Sequence, residues 1–95
     1  MVFVLKRVRA KAALGELSDE EIKDMMATRR KALESAGMKR VAGHYKSFNG
    51  DHIFINSYPN LEALQKVREE LMSPNGLGHE KYFELSEEIL YEVAD

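Results

Sequence analysis

Cysteine is absent from the 95 residues. That excludes disulfides, thiolate metal ligands and a thiol nucleophile, and it removes the usual argument for secretion. Long apolar runs are absent too. The longest, Val2 to Leu5, is far too short for a bilayer span or a signal-peptide core. The basic residues Lys6, Arg7 and Arg9 follow that run, the reverse of the order in a secretory signal, so the cytoplasm is the expected compartment and no membrane partner is expected. There is no large excess of one charge: the formal net charge is −2, which argues against general nucleic-acid binding. Neither an internal repeat at solenoid spacing nor a low-complexity segment is present.

What is there describes one small globular domain, with 44% hydrophobic and 32% charged residues. A chain of this length buries a modest share of its surface, so self-association is a common way to add apolar contact. The charge is uneven along the chain. Residues 1–50 carry 11 Lys and Arg against 6 Asp and Glu, whereas residues 51–95 carry 3 against 10. A fold that interleaves the two halves lets these charges offset one another.

The segment from Met1 to Ala10 is rich in β-branched and apolar residues and reads as a strand. Val2, Val4 and Val8 point to one face, and Phe3, Leu5, Arg7 and Arg9 to the other. Leu14 to Leu17 reads as a turn. Ser18 then opens a helix, with Glu21 completing a capping box and Leu17 and Ile22 at the staple positions. Ile22, Met25, Met26, Ala32, Leu33 and Ala36 form its apolar stripe, and Gly37 is the natural residue to end it.

Asn49-Gly50 marks a hairpin between arms Arg40–Phe48 and His52–Tyr58, either through a type I′ turn or through a type I turn with a glycine bulge. Leu61 to Met72 reads as a second amphipathic helix, with Asn60 as N-cap and Leu61, Leu64, Val67 and Leu71 inward. Ser73-Pro74-Asn75-Gly76 breaks it. Gly78 to about Ile89 shows helical spacing through Tyr82, Leu85 and Ile89, and Leu90 to Val93 reads as a short last strand.

This order predicts an α+β domain over 1–95 of ferredoxin-like βαββαβ type, a four-stranded antiparallel sheet with helices on one face. Val4, Tyr45, Phe54 and Val93 alternate with residues that can feed the helix side, so both faces of the sheet are expected to be partly apolar. A sheet with one uncovered apolar face predicts a homodimer.

The chain resembles the dimeric α/β-barrel superfamily, the small ferredoxin-like proteins of antibiotic-biosynthesis-monooxygenase type and the stress-responsive barrel domains. The resemblance spans nearly the whole chain and rests on layout. Its parts are an opening strand VFVLKRVRA, a first helix ending RRKALESAGMKRV, the hairpin KSFNGDHIFI, then LEALQKVREELMSP, HEKYFELSEEI and a closing LYEVAD. It implies two sheets paired face to face, with a pocket between sheet and helices in each subunit. Members range from cofactor-free oxygenases and isomerases to haem-dependent enzymes and proteins without assigned activity. The monooxygenase-type site uses a tryptophan, which this sequence lacks, so that catalytic set is not carried over. A fold analogy leaves the chemistry open.

Arg29 is the oddest residue, near the centre of the first helix's apolar stripe. A guanidinium there snorkels, pairs with an acid, or faces a cavity holding an anion. Arg68 stands similarly in the second helix, and two arginines facing one sheet suit a carboxylate or phosphate. His44 and His52 lie on the two hairpin arms, and neither turn register sets them directly opposite. Histidine is the usual acid–base residue near neutral pH, with solvent-facing strand histidines as the plainer reading. Tyr45, Tyr58 and Tyr82 are candidates to line a pocket, or else core and interface aromatics. His79 lacks the second histidine of a zinc-protease helix; in some barrel relatives a histidine of the last helical region binds haem iron, which is what the resemblance implies for it. Gly76-Leu77-Gly78 reads as a loop. No serine sits in a recognisable nucleophile turn. RVAGHYKSF has only a faint likeness to the strand motifs of RNA-recognition domains.

The function expected from these residues is a homodimeric barrel protein that binds a small anionic or aromatic molecule between helices and sheet. The alternatives are a cofactor-free monooxygenase or isomerase, and a structural or regulatory dimerisation module. No metal and no cofactor are expected.

Overall fold

The computed structural model describes residues 1–73, 79–91 and 93, with His79 described by its backbone alone. β1 runs over Val2–Ala10 and a single 3-10 turn over Ala12–Glu16. Helix α1 spans Asp19–Ser35, β2 spans Lys39–Lys46 and β3 spans His52–Tyr58. They are followed by α2 at Leu61–Met72, the short α3 at His79–Tyr82 and β4 at Phe83–Leu90. The strands form one four-stranded sheet in the order β2-β3-β1-β4, and every neighbouring pair is antiparallel. The first strand is thus central and lies beside the last. The basic first half and acidic second half do interleave.

The first helix is built as its sequence requires. Ser18 Oγ accepts from the Glu21 N–H and Glu21 Oε1 accepts from the Ser18 N–H, both at 3.1 Å, so two orphan donors of the first turn are satisfied reciprocally. Gly37 follows the helix at φ +83°. Asn60 caps α2 by accepting the Ala63 N–H at 2.8 Å. Both helices pack on one side of the sheet, around Val4, Leu33, Tyr58, Leu64, Val67 and Leu71. Leu61 stands outside this core, 44% exposed, against the inward position its spacing suggested. It occupies the first turn of α2, where the helix has not yet settled onto the sheet.

The hairpin turn is decided by φ. Gly50 has φ +93° while no non-glycine residue among the described ones has positive φ, so Asn49 cannot be in a type I′ turn. The Gly50 N–H donates to the Ser47 carbonyl at 3.0 Å and the Ser47 N–H to the Asp51 carbonyl at 2.8 Å, which is the type I turn with a glycine bulge. The β2–β3 register also shifts between Arg40 and Ala42 and again between Ala42 and Tyr45. Gly43 sits there at φ +109°, and a Cβ on it would lie 2.9 Å from the Ile53 carbonyl oxygen. Only glycine lets the two backbones approach so closely.

A further expectation fails. The stretch read as a third helix to about Ile89 is helical only at His79–Tyr82, and Phe83–Leu90 is the edge strand β4. The expected strand at Leu90–Val93 lies too late: Tyr91 and Val93 are 84% and 88% exposed, beyond β4. The segment FELSEEIL carries both periods at once. Its Leu and Glu favour a helix, but Phe83, Leu85, Glu87 and Ile89 also alternate, and eight registered partners on β1 settle the matter. The glycine-rich loop Gly76-Leu77-Gly78 and the Pro74–Gly76 part of the predicted break lie outside the described residues.

The ladder sorts the side chains by face. Val2, Val4, Lys6 and Val8 share the helix side with Phe54, Asn56, Tyr58, Leu85, Glu87 and Ile89. Phe3, Leu5, Ile53, Ile55 and Leu90 lie on the opposite side, with Tyr45 opposite Ile53. Val4 and Phe54 therefore belong to the helix side and only Tyr45 of the expected outer set faces away.

Candidate ligand-binding cleft

Between α1 and the β2-β3-β1 part of the sheet opens a cleft of about 540 Å³, within the size range of small-molecule sites. Its polar lining is Arg29 and Arg30 from α1, Arg40 and His44 from β2 and His52 from β3. Its apolar lining includes Met26, Leu33, Met38, Phe54 and Phe83. Three guanidiniums and two imidazoles thus meet over an apolar floor, and none of the lining residues is a carboxylate.

Each polar group is held differently. Arg40 Nε donates to Asn56 Oδ1 at 2.6 Å, and its guanidinium carbon lies 4.2 Å from the centre of the Phe54 ring. His44 Nε2 and His52 Nδ1 are 2.5 Å apart, one nitrogen donating and the other accepting. The His44 ring also lies 4.7 Å, centre to centre, from Phe54. Phe54 is the plate on which this corner is built.

Arg29 is different. Its Nε is buried and has no hydrogen-bond partner. Burial lowers its pKa from the ordinary arginine value, and the neighbouring Arg40 adds to this, while Tyr58 and Glu87 oppose it. A guanidinium nevertheless keeps its proton. An unpartnered donor on a buried cation costs free energy. Burial likewise lowers Arg40.

Beneath the cleft lies a residue that the sequence pattern does not single out. Lys6 is 2% exposed and on the helix face of β1, between Phe54 on β3 and Glu87 on β4. Burial, and then the field of Arg29, bring its ammonium down from 10.5 to about 7, with Glu87 opposing. The same desolvation raises the Tyr58 hydroxyl to about 12. The alternation of β1 puts Lys6 on the same face as Val4 and Val8, and the ladder makes that the helix side.

Among the sequence-level candidates, Arg29, His44 and His52 come together here. The histidines meet because they are diagonal, not opposite, neighbours: the ladder partner of His52 is Lys46, two residues along from His44. Arg68 does not join Arg29. It lies over the other edge, 3.5 Å from Glu87 and partly exposed; Arg40 takes the second place in the basic cluster. Tyr45 faces away on the outer side of the sheet and is 59% exposed. Tyr58 is in the core rather than on the cleft wall, and Tyr82 ends α3, where its carbonyl accepts the Lys11 N–H. The side chain of His79 lies outside the described part.

Among the described residues no group of three or more His, Cys, Asp or Glu is placed to hold a metal ion. No helix among them is long and apolar enough to cross a membrane. The chain matches no family model, no curated protein and no solved structure. The site's own geometry is therefore what speaks to function.

Proposed function

We propose that this protein binds a small organic anion with an aromatic or other apolar body in the cleft between α1 and the sheet. The observation that carries this reading is the buried, unpartnered Nε of Arg29, set in a cleft with Arg30 and Arg40 and no carboxylate. Cation and apolar lining divide the work: the guanidiniums take the charged end, and Phe54, Phe83, Met26 and Leu33 take the body. Such a division is usual for small-molecule sites, where a few polar groups orient a ligand held mainly by apolar contact.

The same proposal includes a second copy of the chain. The sheet's outer face carries Phe3, Leu5, Ile53, Ile55 and Leu90, and among the described residues no helix lies over it. Arg7 and Arg9 share that face with Glu84 and Glu88, so a two-fold axis can set each sign against the other. This layout supports a ferredoxin-like domain paired as a dimeric α/β barrel.

The test is a calorimetric titration with phenylacetate, using phenylacetamide as a neutral control of the same shape. Saturable binding of the acid, with binding of the amide at least about ten-fold weaker, is the expected result. Equal affinity for both, or none for either, would remove the anion reading.

A further inference from the structure

Apart from two thioethers, the side-chain hydrogen-bond acceptors among the described lining of the cleft are its imidazoles. The other polar residues there are arginines, which only donate. His44 Nε2 and His52 Nδ1 bond to each other, which leaves His44 Nδ1 and His52 Nε2 for other partners. The bond between the rings needs a lone pair, so at least one ring is uncharged. The three guanidiniums of the same cleft oppose a charge on the other. With both rings neutral, one remaining nitrogen carries a hydrogen and the other a lone pair. Which is which depends on the side that holds the shared hydrogen.

The two rings differ in place. His52 is half-buried on the inner strand β3, and His44 is exposed on the edge strand β2. A hydrogen-bonded chain therefore runs from within the sheet to its edge. When a donor in the cleft gives a proton to His52 Nε2, the hydrogen of His52 Nδ1 crosses to His44 Nε2, and that of His44 Nδ1 passes to water. The pair ends in its other tautomer, with the His52 Nε2–H donating back to the group that lost the proton. A lone histidine taking the same proton would become a cation among three others. The pair is neutral before and after.

The surroundings say which group gives the proton. Arg29 stands over β1 and β4, where it lines a small cavity with Val8, Phe83 and Leu85. His52 belongs to the strand next to β1, and strands about 4.8 Å apart set imidazole and guanidinium roughly 5–10 Å from one another. A benzene ring substituted at opposite ends spans that distance. The charged and titratable groups facing such a ring are Arg29 and Arg30 from α1, Arg40 and His44 from β2, and His52 from β3. From β1 and β4 come only Val8, Ala10 and Phe83, with Lys6 beneath and off the cleft wall. Every fixed charge lining the cleft thus favours an anion.

We propose that the cleft takes an aryl acid with a hydroxyl across the ring from its carboxylate arm, and that the His44–His52 pair carries the hydroxyl proton away to leave a bound phenolate. This deepens the anion-binding reading and rests on it, with the carboxylate on Arg29. The O–H bond breaks, its electron pair stays on oxygen and one proton enters water. Nothing is oxidised or reduced.

The test uses 4-hydroxy-3-nitrophenylacetate, whose phenolate absorbs visible light. Titrated over pH with the protein in excess, the bound phenol should ionise about one pH unit below the free compound, a ten-fold gain in acidity. His52→Leu should remove most of that shift. Nitrogen-15 spectra of the unaltered protein follow the relay itself. As the bound phenol ionises, His52 Nε2 should gain a hydrogen and His44 Nδ1 lose one, with neither ring doubly protonated. If phenylacetate binds while the nitrophenol is excluded, or ionises as in free solution, the relay is overturned and the anion site stands. A doubly protonated ring, or a shift that survives His52→Leu in full, also overturns the relay. Binding of neither acid overturns both readings. The nitrogen-15 measurement needs no variant, so it decides the matter even if His52→Leu fails to fold.

Discussion

Arg40 on β2 donates its Nε–H to the side-chain oxygen of Asn56, its ladder partner on β3, at 2.6 Å. Asn56 is 1% exposed, so a buried amide aims a cation that would otherwise turn outward. The guanidinium is thereby laid over Phe54 at the cleft wall. Removing the acceptor frees Arg40 to hydrate rather than stranding it. Asn56→Leu is therefore expected to change stability by no more than about 1 kcal/mol while weakening phenylacetate binding about five-fold. Urea unfolding and calorimetry on the same sample check both halves.

Arg29 is costly to the empty protein, because its buried Nε has no partner. Arg29→Met places an apolar chain of similar length among Met26, Leu33 and Phe83. The variant is expected to be as stable as the parent or more stable by about 1–2 kcal/mol, and to bind phenylacetate at least about ten-fold more weakly. A site that stabilises when disarmed is the mark of a group kept for binding.

Lys6 and Tyr58 give opposite pH dependences. The Lys6 ammonium has a folded pKa of about 7 against 10.5 when solvated. Below about pH 7 it is charged in both states and the burial penalty is full. Between about 7 and 10.5 the unfolded chain binds the extra proton, so stability climbs with pH. Tyr58 is raised from 10.0 to about 12. Its contribution is complete below pH 10 and is lost as the pH passes from 10 to 12, because only the unfolded chain ionises there. Urea midpoints should thus climb above neutrality, level near pH 10 and fall beyond it. Each swing is on the order of a few kcal/mol. Lys6→Met should flatten the climb and Tyr58→Phe the fall.

The outer sheet face makes a separate prediction. Light scattering at micromolar concentration should give twice the chain mass. Leu5→Glu, at the centre of that face and opposite Ile55 and Glu88, should give the single chain mass with its helical signal intact. A monomeric parent protein would dismiss the pairing without touching the cleft.

How much of this was legible in the sequence depends on how local each feature is. The capping box at Ser18, the Asn60 cap and the hairpin at Gly50 are set by neighbours a few residues apart, and all three are read directly from the chain. The α+β layout with an antiparallel sheet follows from them. β4 was misplaced because Phe83–Leu90 satisfies helical and strand spacing together, and a distant partner, β1, chooses between them. At the site, Arg29 stood out as a charge in an apolar stripe. Lys6 did not, although alternation placed it beside Val4 and Val8. Arg40 reaches Phe54 through the pairing of β2 with β3, which no local pattern announces. Likewise the contact of His44 with His52 is diagonal across a bulged ladder, and pairing by register alone passes over it.

The most direct measurement is the NMR resonance of the Arg29 Nε–H, assigned by its loss in Arg29→Met. In the free protein this hydrogen has no acceptor, so its signal should lie in the range of unbonded guanidinium protons. Saturating phenylacetate should move it downfield, as a charge-assisted hydrogen bond forms, while phenylacetamide leaves it in place. A signal unmoved by phenylacetate at concentrations that shift other cleft residues would contradict the account.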